Sequence, residues 1–136
     1  MVRLLTLGLL SASLVLPSTG QEPQQQVPPL IAKIPDKGDF FGQWLRQDGT
    51  YKLALSRAKG GGVTAKYMNP NPINVESALF SQDDDLLVLT IVLRDEGYPG
   101  STYRLHFDPA YRILVGDYLM PQSGQRHQVY FIRERK

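Results

Sequence analysis

From Gly42 onward, apolar and polar residues alternate in short runs and do not recur every three or four positions. Period-two alternation marks a half-buried strand. In the run 51–58, Tyr51, Leu53 and Leu55 fall on one face and Lys52, Ala54 and Ser56 on the other. The run 63–68 groups Val63, Ala65 and Tyr67, and 73–81 groups Ile73, Val75, Ser77 and Leu79. The run 86–94 is apolar on both faces, while 101–107 puts Tyr103, Leu105 and Phe107 together. Runs 42–47, 113–120 and 125–133 complete a set of eight. Turn chemistry separates them: Asp48-Gly49, Gly60-Gly61-Gly62, Asn69-Pro70-Asn71-Pro72, Asp83-Asp84-Asp85, the loop 95–100 with Tyr98-Pro99-Gly100, Asp108-Pro109, and 121–124. Glycine supplies positive φ and proline a fixed φ at such positions.

Links this short force neighbouring strands to pair antiparallel in chain order. The pattern therefore predicts an all-β domain, an eight-stranded antiparallel up-and-down meander barrel over 40–136, with the first and eighth strands paired to close it. A flat two-sheet sandwich is the alternative. The interior of an eight-stranded barrel either fills with side chains or holds one small ligand.

The sequence ahead of the barrel has a different character. Arg3 followed by the mostly apolar run 4–16, with the small residues Ser18 and Gly20, reads as an export signal over 1–20 that is cut after Gly20. The apolar run is too short for a membrane-spanning anchor, so no transmembrane anchor is expected in the mature chain. Residues 21–39 carry Pro23, Pro28, Pro29, Pro35 and Gln24-Gln25-Gln26, the composition of a linker or extended arm. The expected location is periplasmic or extracellular.

Lys+Arg 15 against Asp+Glu 13 leaves no basic excess for nucleic acid. With Cys 0, disulfides, thiol chemistry and a lipidated cysteine are excluded. The two histidines, His106 and His127, stand on separate runs without a second ligand at metal spacing, and no metal or cofactor is expected. No nucleophile elbow or phosphate-cradling loop appears, and no catalytic residue is assigned. Asp117 shares its face with Ile113, Val115 and Leu119, so it is either solvated or buried and paired.

Gly42-Gln43-Trp44 at the start of the first run resembles the Gly-x-Trp opening of the small calycin barrels, the lipocalin and avidin-like group. Tyr67 after Ala65-Lys66, and Leu114-Val115-Gly116-Asp117-Tyr118, look like the Gly/Tyr strands of avidin-type barrels. In lipocalin-like barrels a basic residue after the last strand stacks on that tryptophan and closes the base. The resemblance therefore implies a contact between Trp44 and Arg133 or Arg135. The plainer reading makes Trp44 core and the arginines a solvated tail. Biotin-binding positions find no match, and Trp44 is the only tryptophan.

Meander parity sends the turns at 48–49, 69–72, 95–100 and 121–124 to the end opposite Trp44. They are rich in Asn, Pro and Tyr, and stiff loops on a scaffold are common binding positions. The candidate ligand site at that rim comprises Tyr51, Tyr67, Asn69, Asn71, Tyr98, Ser101, Tyr103 and Tyr118. Inward tyrosines need hydroxyl partners, which either a ligand or a filled core supplies.

Three functions compete. The first is an exported, non-enzymatic binder of a small apolar or aromatic ligand. The second is an envelope protein-interaction or inhibitor barrel, or a homo-oligomer, that uses the two-faced apolar fifth, seventh and eighth runs. The third is a hydrolase-type enzyme of unspecified reaction.

Overall fold

The computed structural model describes Gly8, residues 11–20 and residues 33–135. The chain divides into two units, Met1–Ile31 and Ala32–Lys136. The described residues of the first carry no helix or strand. Residues 1–7 and 9–10 of the export signal and 21–32 of the proline-rich arm lie outside the described residues. Among the described residues no helix is long and apolar enough to cross a membrane.

The second unit opens with a short 3-10 turn, Lys37–Phe40, and continues as nine strands. These are β1 (Gly42–Arg46), β2 (Lys52–Arg57), β3 (Val63–Met68), β4 (Pro72–Ile73), β5 (Val75–Asp83), β6 (Leu86–Asp95), β7 (Tyr98–Asp108), β8 (Ile113–Met120) and β9 (Gln125–Arg133). All pairings are antiparallel, in the order β4-β3-β2-β1-β9-β8-β7-β6-β5. Trp44 pairs with Arg133 and Arg46 with Phe131, so β1 joins β9. The two ends of that order, β4 and β5, are consecutive in the chain, which folds the sheet into a nearly closed antiparallel barrel.

The ninth strand comes from a corner in the run expected at 73–81. Pro72–Ile73 still pairs with β3, whereas Val75 onward pairs with β6. Asn74 makes the change of partner. Its amide N–H donates to Asp95 Oδ2 at 2.7 Å, its side chain donates to the Arg94 carbonyl at 3.1 Å, and its carbonyl accepts from Arg94 N–H at 3.0 Å.

Alternation also breaks just past the corner. The register against β6 shifts between Val75 and Ser77, so Glu76 is an extra residue. One added residue exchanges the faces of everything after it. Ala78 and Phe80 consequently pack on the core, while Leu79 is 67% exposed, a correction to the face read from sequence as Ile73, Val75, Ser77 and Leu79. A second difference concerns 95–100. Tyr98, Pro99 and Gly100 belong to β7, pairing at Asp95↔Tyr98 and Arg94↔Pro99, and the turn shrinks to Glu96-Gly97.

The interior is filled with side chains. Phe40, supplied by the 3-10 turn, plugs the base: its ring meets Phe80 edge-on at 5.1 Å and Phe107 at 6.4 Å. A reciprocal capping box fixes that turn, with Asp36 accepting from Gly38 N–H and Asp39 accepting from Asp36 N–H. Above it lie fully buried Trp44, Leu53, Leu89, Leu105, Leu114 and Phe131. Tyr67 and Tyr103, equally buried, form the next layer toward the mouth. Gly116 lets β8 cross close to β7, since a Cβ there would collide with the Arg104 carbonyl oxygen.

Candidate functional site

Residue 46 is the last of β1 and lies two positions beyond buried Trp44, so strand alternation turns Arg46 inward at the mouth. Its side chain is only 10% exposed. The guanidinium, its contact end, lies 3.9 Å from the Tyr51 ring centroid and 5.4 Å from that of Tyr118. Nη1 donates to the Tyr103 hydroxyl at 2.7 Å. The opposite edge, Nε and Nη2, faces both oxygens of Asp48, with Nη2 at 2.8 Å. Asp48 is 58% exposed, on the β1–β2 turn. A planar guanidinium held between rings and met by two carboxylate oxygens is the strong bidentate form of this pair.

From Tyr103 the polar chain runs inward to Tyr67, hydroxyl to hydroxyl at 2.8 Å. A second chain links two mouth loops to the start of β7. Thr50 Oγ1 donates to Asn69 Oδ1 at 2.8 Å, and Asn69 Nδ2 donates to the Tyr98 hydroxyl at 2.8 Å. The rings pack against one another as well: Tyr51 stacks on Tyr67 at 6.2 Å, and Tyr103 lies 4.6 Å from Tyr118. Ser101 is buried, and Asn71 is exposed with its carbonyl accepting from Asn69 N–H. Tyr51, Tyr98, Tyr118 and Asn69 are partly exposed, whereas Tyr67 and Tyr103 have no path to solvent of their own.

This environment moves the ionisations apart. Burial pushes the Tyr103 hydroxyl up to about 12, with Tyr67 and Arg46 pulling the other way. Burial, and then Tyr103, push Tyr67 up further. Burial opposes the Arg46 charge, but the hydrogen bonds to Asp48 and Tyr103 outweigh it and hold the guanidinium protonated. The hydrogen bond from Arg46 holds Asp48 below the usual carboxylate range against the opposing effect of burial.

The other end of β1 carries a second arginine on an aromatic ring. Arg133 lies over Trp44 at 4.2 Å and donates to the carbonyls of Phe41 at 2.7 Å and Asp39 at 2.8 Å. Trp44 Nε1 donates to the Phe40 carbonyl at 2.8 Å. Gly42 has φ +135, and a Cβ there would run into Arg133 Nη1. These two constraints give the glycine of Gly42-x-Trp44 a physical role. Arg135 is exposed and stands apart from the tryptophan, beside an outer-wall groove.

The residues sequence reasoning missed are Arg46, Asp48 as a side chain, and Phe40. Arg46 shares the parity of Trp44, and that was the available signal. A charged strand residue is ordinarily assigned to the solvent face, which masked it. On the outer wall, Asp117 is half exposed and faces Arg126 at 3.9 Å, and His106 pairs across strands with Val88 and Val115. The wall also carries an open groove of about 920 Å³ along Gly42, Ala54, Ser56, Lys66 and Met68. It is roomy but lacks the mutually bonded polar groups that converge at the mouth.

No family model matches the chain, and no curated protein or solved structure matches it.

Proposed function

We propose that this is an exported, non-enzymatic binding barrel that takes a small ligand at its mouth, as a shallow platform and not in a deep cavity. The observation that supports it is part-exposed Tyr51 and Tyr118 against Arg46 at the mouth, with Thr50, Asn69 and Tyr98 of the same rim bonded to one another beforehand. Loops already held together lose little freedom when a ligand arrives. Below them the Tyr67–Tyr103 pair floors the site, which keeps a ligand shallow. A calycin-type kinship belongs to the same proposal, supported by Gly42, Trp44 and Arg133 at the base. Export rests on Arg3, the apolar run 4–16 and Ser18 and Gly20. N-terminal sequencing of the protein from its native host should start near Gln21.

The test is a screen of small aromatic and apolar compounds against the isotope-labelled barrel, read as amide shifts. Binding should move amides of the mouth loops, and Tyr51→Ala or Tyr98→Ala should weaken it. Shifts confined to the outer wall, or equal binding by both variants, would sink the reading.

A second reading, a protein-interaction or self-pairing barrel, draws on the outer wall. Cross-strand pairing lines up Val88, His106, Val115 and Tyr130 in one row and Leu45 with Ile132 in another. Tyr130 is 49% exposed and Ile132 36%. Sedimentation of the purified barrel distinguishes the two: a concentration-dependent dimer lost in Tyr130→Lys favours the wall.

A further inference from the structure

We infer that the mouth recognises a carboxylate, and that Asp48 is a resident stand-in for it on Arg46. This rests on the mouth-binding reading above and adds the chemical class of the ligand: a planar apolar or aromatic body carrying one carboxylate. The guanidinium is built in from three sides. Tyr51 covers it at 3.9 Å, Tyr118 stands at 5.4 Å, and the Tyr103 hydroxyl takes Nη1 at 2.7 Å. Only the Nε/Nη2 edge is left, and that edge is the one that grips two carboxylate oxygens in parallel. What occupies it comes from the turn, not from the barrel. Asp48 is two residues along the chain and 58% exposed, against 10% for Arg46.

The two partners therefore differ in what leaving would cost. Arg46 cannot move without emptying the Tyr103 bond and the contact with Tyr51. Asp48 can swing into water, where an exposed carboxylate is well solvated, so releasing it disturbs the barrel less than moving Arg46 would. An incoming carboxylate restores the same two hydrogen bonds. If it carries an aromatic ring, it also packs against part-exposed Tyr98 and Tyr118. That added contact is the difference in affinity an exchange requires. The surrounding tyrosine and asparagine groups are neutral, so a single carboxylate satisfies the site and a second negative charge would meet Asp48.

The experiment uses the labelled barrel at neutral pH with sodium benzoate as probe and benzamide as its uncharged isostere, following the Arg46 Nε–Hε resonance and the mouth amides. Benzoate should shift Arg46 Nε–Hε and the 47–50 amides, benzamide much less. Asp48→Asn removes the resident charge and should tighten benzoate about 2- to 5-fold, the worth of an exposed ion pair. Arg46→Met should abolish the benzoate response; if that variant does not fold, the Asp48→Asn comparison decides alone. Equal responses to benzoate and benzamide, with Asp48→Asn neutral, overturn the carboxylate assignment while leaving mouth binding standing. A benzoate response confined to residues outside the mouth overturns it too, and then counts against mouth binding as well.

Discussion

The two ends of β1 pose the same chemical problem and solve it differently. At each, an arginine lies against an aromatic ring inside the barrel: Arg133 over Trp44 at the base, Arg46 over Tyr51 at the mouth. Arg133 is tied to main-chain carbonyls of Asp39 and Phe41, neutral groups fixed by the fold, and the plug residue Phe40 lies between them in sequence. Arg46 is tied to ionisable side chains, Asp48 and Tyr103. A cation held by carbonyls has nothing to exchange, whereas a cation held by an exposed carboxylate does. The base is thus held by main-chain groups and the mouth by ionisable side chains, and substitutions at the two ends should differ in kind as well as size.

The largest effect is expected at the base. Trp44→Ala empties a fully buried ring that also bonds the Phe40 carbonyl and supports Arg133, and should cost about 3–5 kcal/mol. Urea unfolding with an unchanged m-value would measure it. A loss under about 1 kcal/mol would mean the base is not the anchor, contrary to its burial.

Next comes the floor of the mouth. Tyr103→Phe keeps the ring and deletes one hydroxyl, but that hydroxyl serves both Arg46 Nη1 and Tyr67. Two buried partners lose a bond together, so the cost should be about 1–3 kcal/mol, more than for Tyr67→Phe, which disturbs only the inner end of the chain. Equal losses in the two variants would show that Arg46 does not depend on Tyr103.

How far such a contrast was legible beforehand follows from which forces are local. Alternation and turn residues are local, so the strands, their short links and the antiparallel meander could be read directly. Parity alone brings Trp44 and Arg133 to one end and Tyr51, Tyr67 and Tyr98 toward the other. The corner at Asn74 depends on hydrogen bonds to Asp95 and Arg94, some twenty residues away in sequence, and the bulge at Glu76 depends on register against β6. Nothing near Asn74 or Glu76 announces either. Arg46 was hidden because an inward arginine is legible only once its partners are known, and Tyr103 is 57 residues distant. Phe40 was hidden because it follows a proline-rich stretch that looks like a linker and gives no hint of a plug.

A smaller effect separates the ends by pH on the alkaline side. Tyr67 and Tyr103 ionise above the ordinary tyrosine value of about 10 because burial disfavours the anion. An acid whose folded pKa is raised contributes stability that is whole below the unfolded value and shrinks as pH climbs above it. Stability should therefore fall from about pH 10 upward, with tyrosinate absorbance of these two appearing only on unfolding. Trp44 emission reports the base independently. The two signals should change together in one step; tyrosinate from the buried pair while Trp44 stays native would show a mouth that opens by itself.

The smallest effect lies on the acid side and belongs to Asp48 alone. Its folded pKa is depressed, chiefly by the hydrogen bond from Arg46. A depressed carboxylate stabilises the fold at pH above its unfolded value, and the contribution drains away as pH falls through the folded one. Exposure keeps the amount modest, since a half-exposed pair is screened by water and salt. Asp36 and Asp95 are depressed as well, by backbone hydrogen bonds, so the acid limb of the native protein is a sum. The informative quantity is the difference between the native protein and Asp48→Asn, in which those two contributions cancel. That difference should be present near neutrality, narrow below the usual carboxylate range and shrink further at high salt. Arg133, held by carbonyls with Asp39 only a minor charge partner, offers a weaker counterpart: the loss for Arg133→Met should change less with pH across this window than that for Asp48→Asn. A pH-independent gap for Asp48→Asn, or an equally pH-dependent one for Arg133→Met, would erase the distinction between an exchangeable end and a closed one.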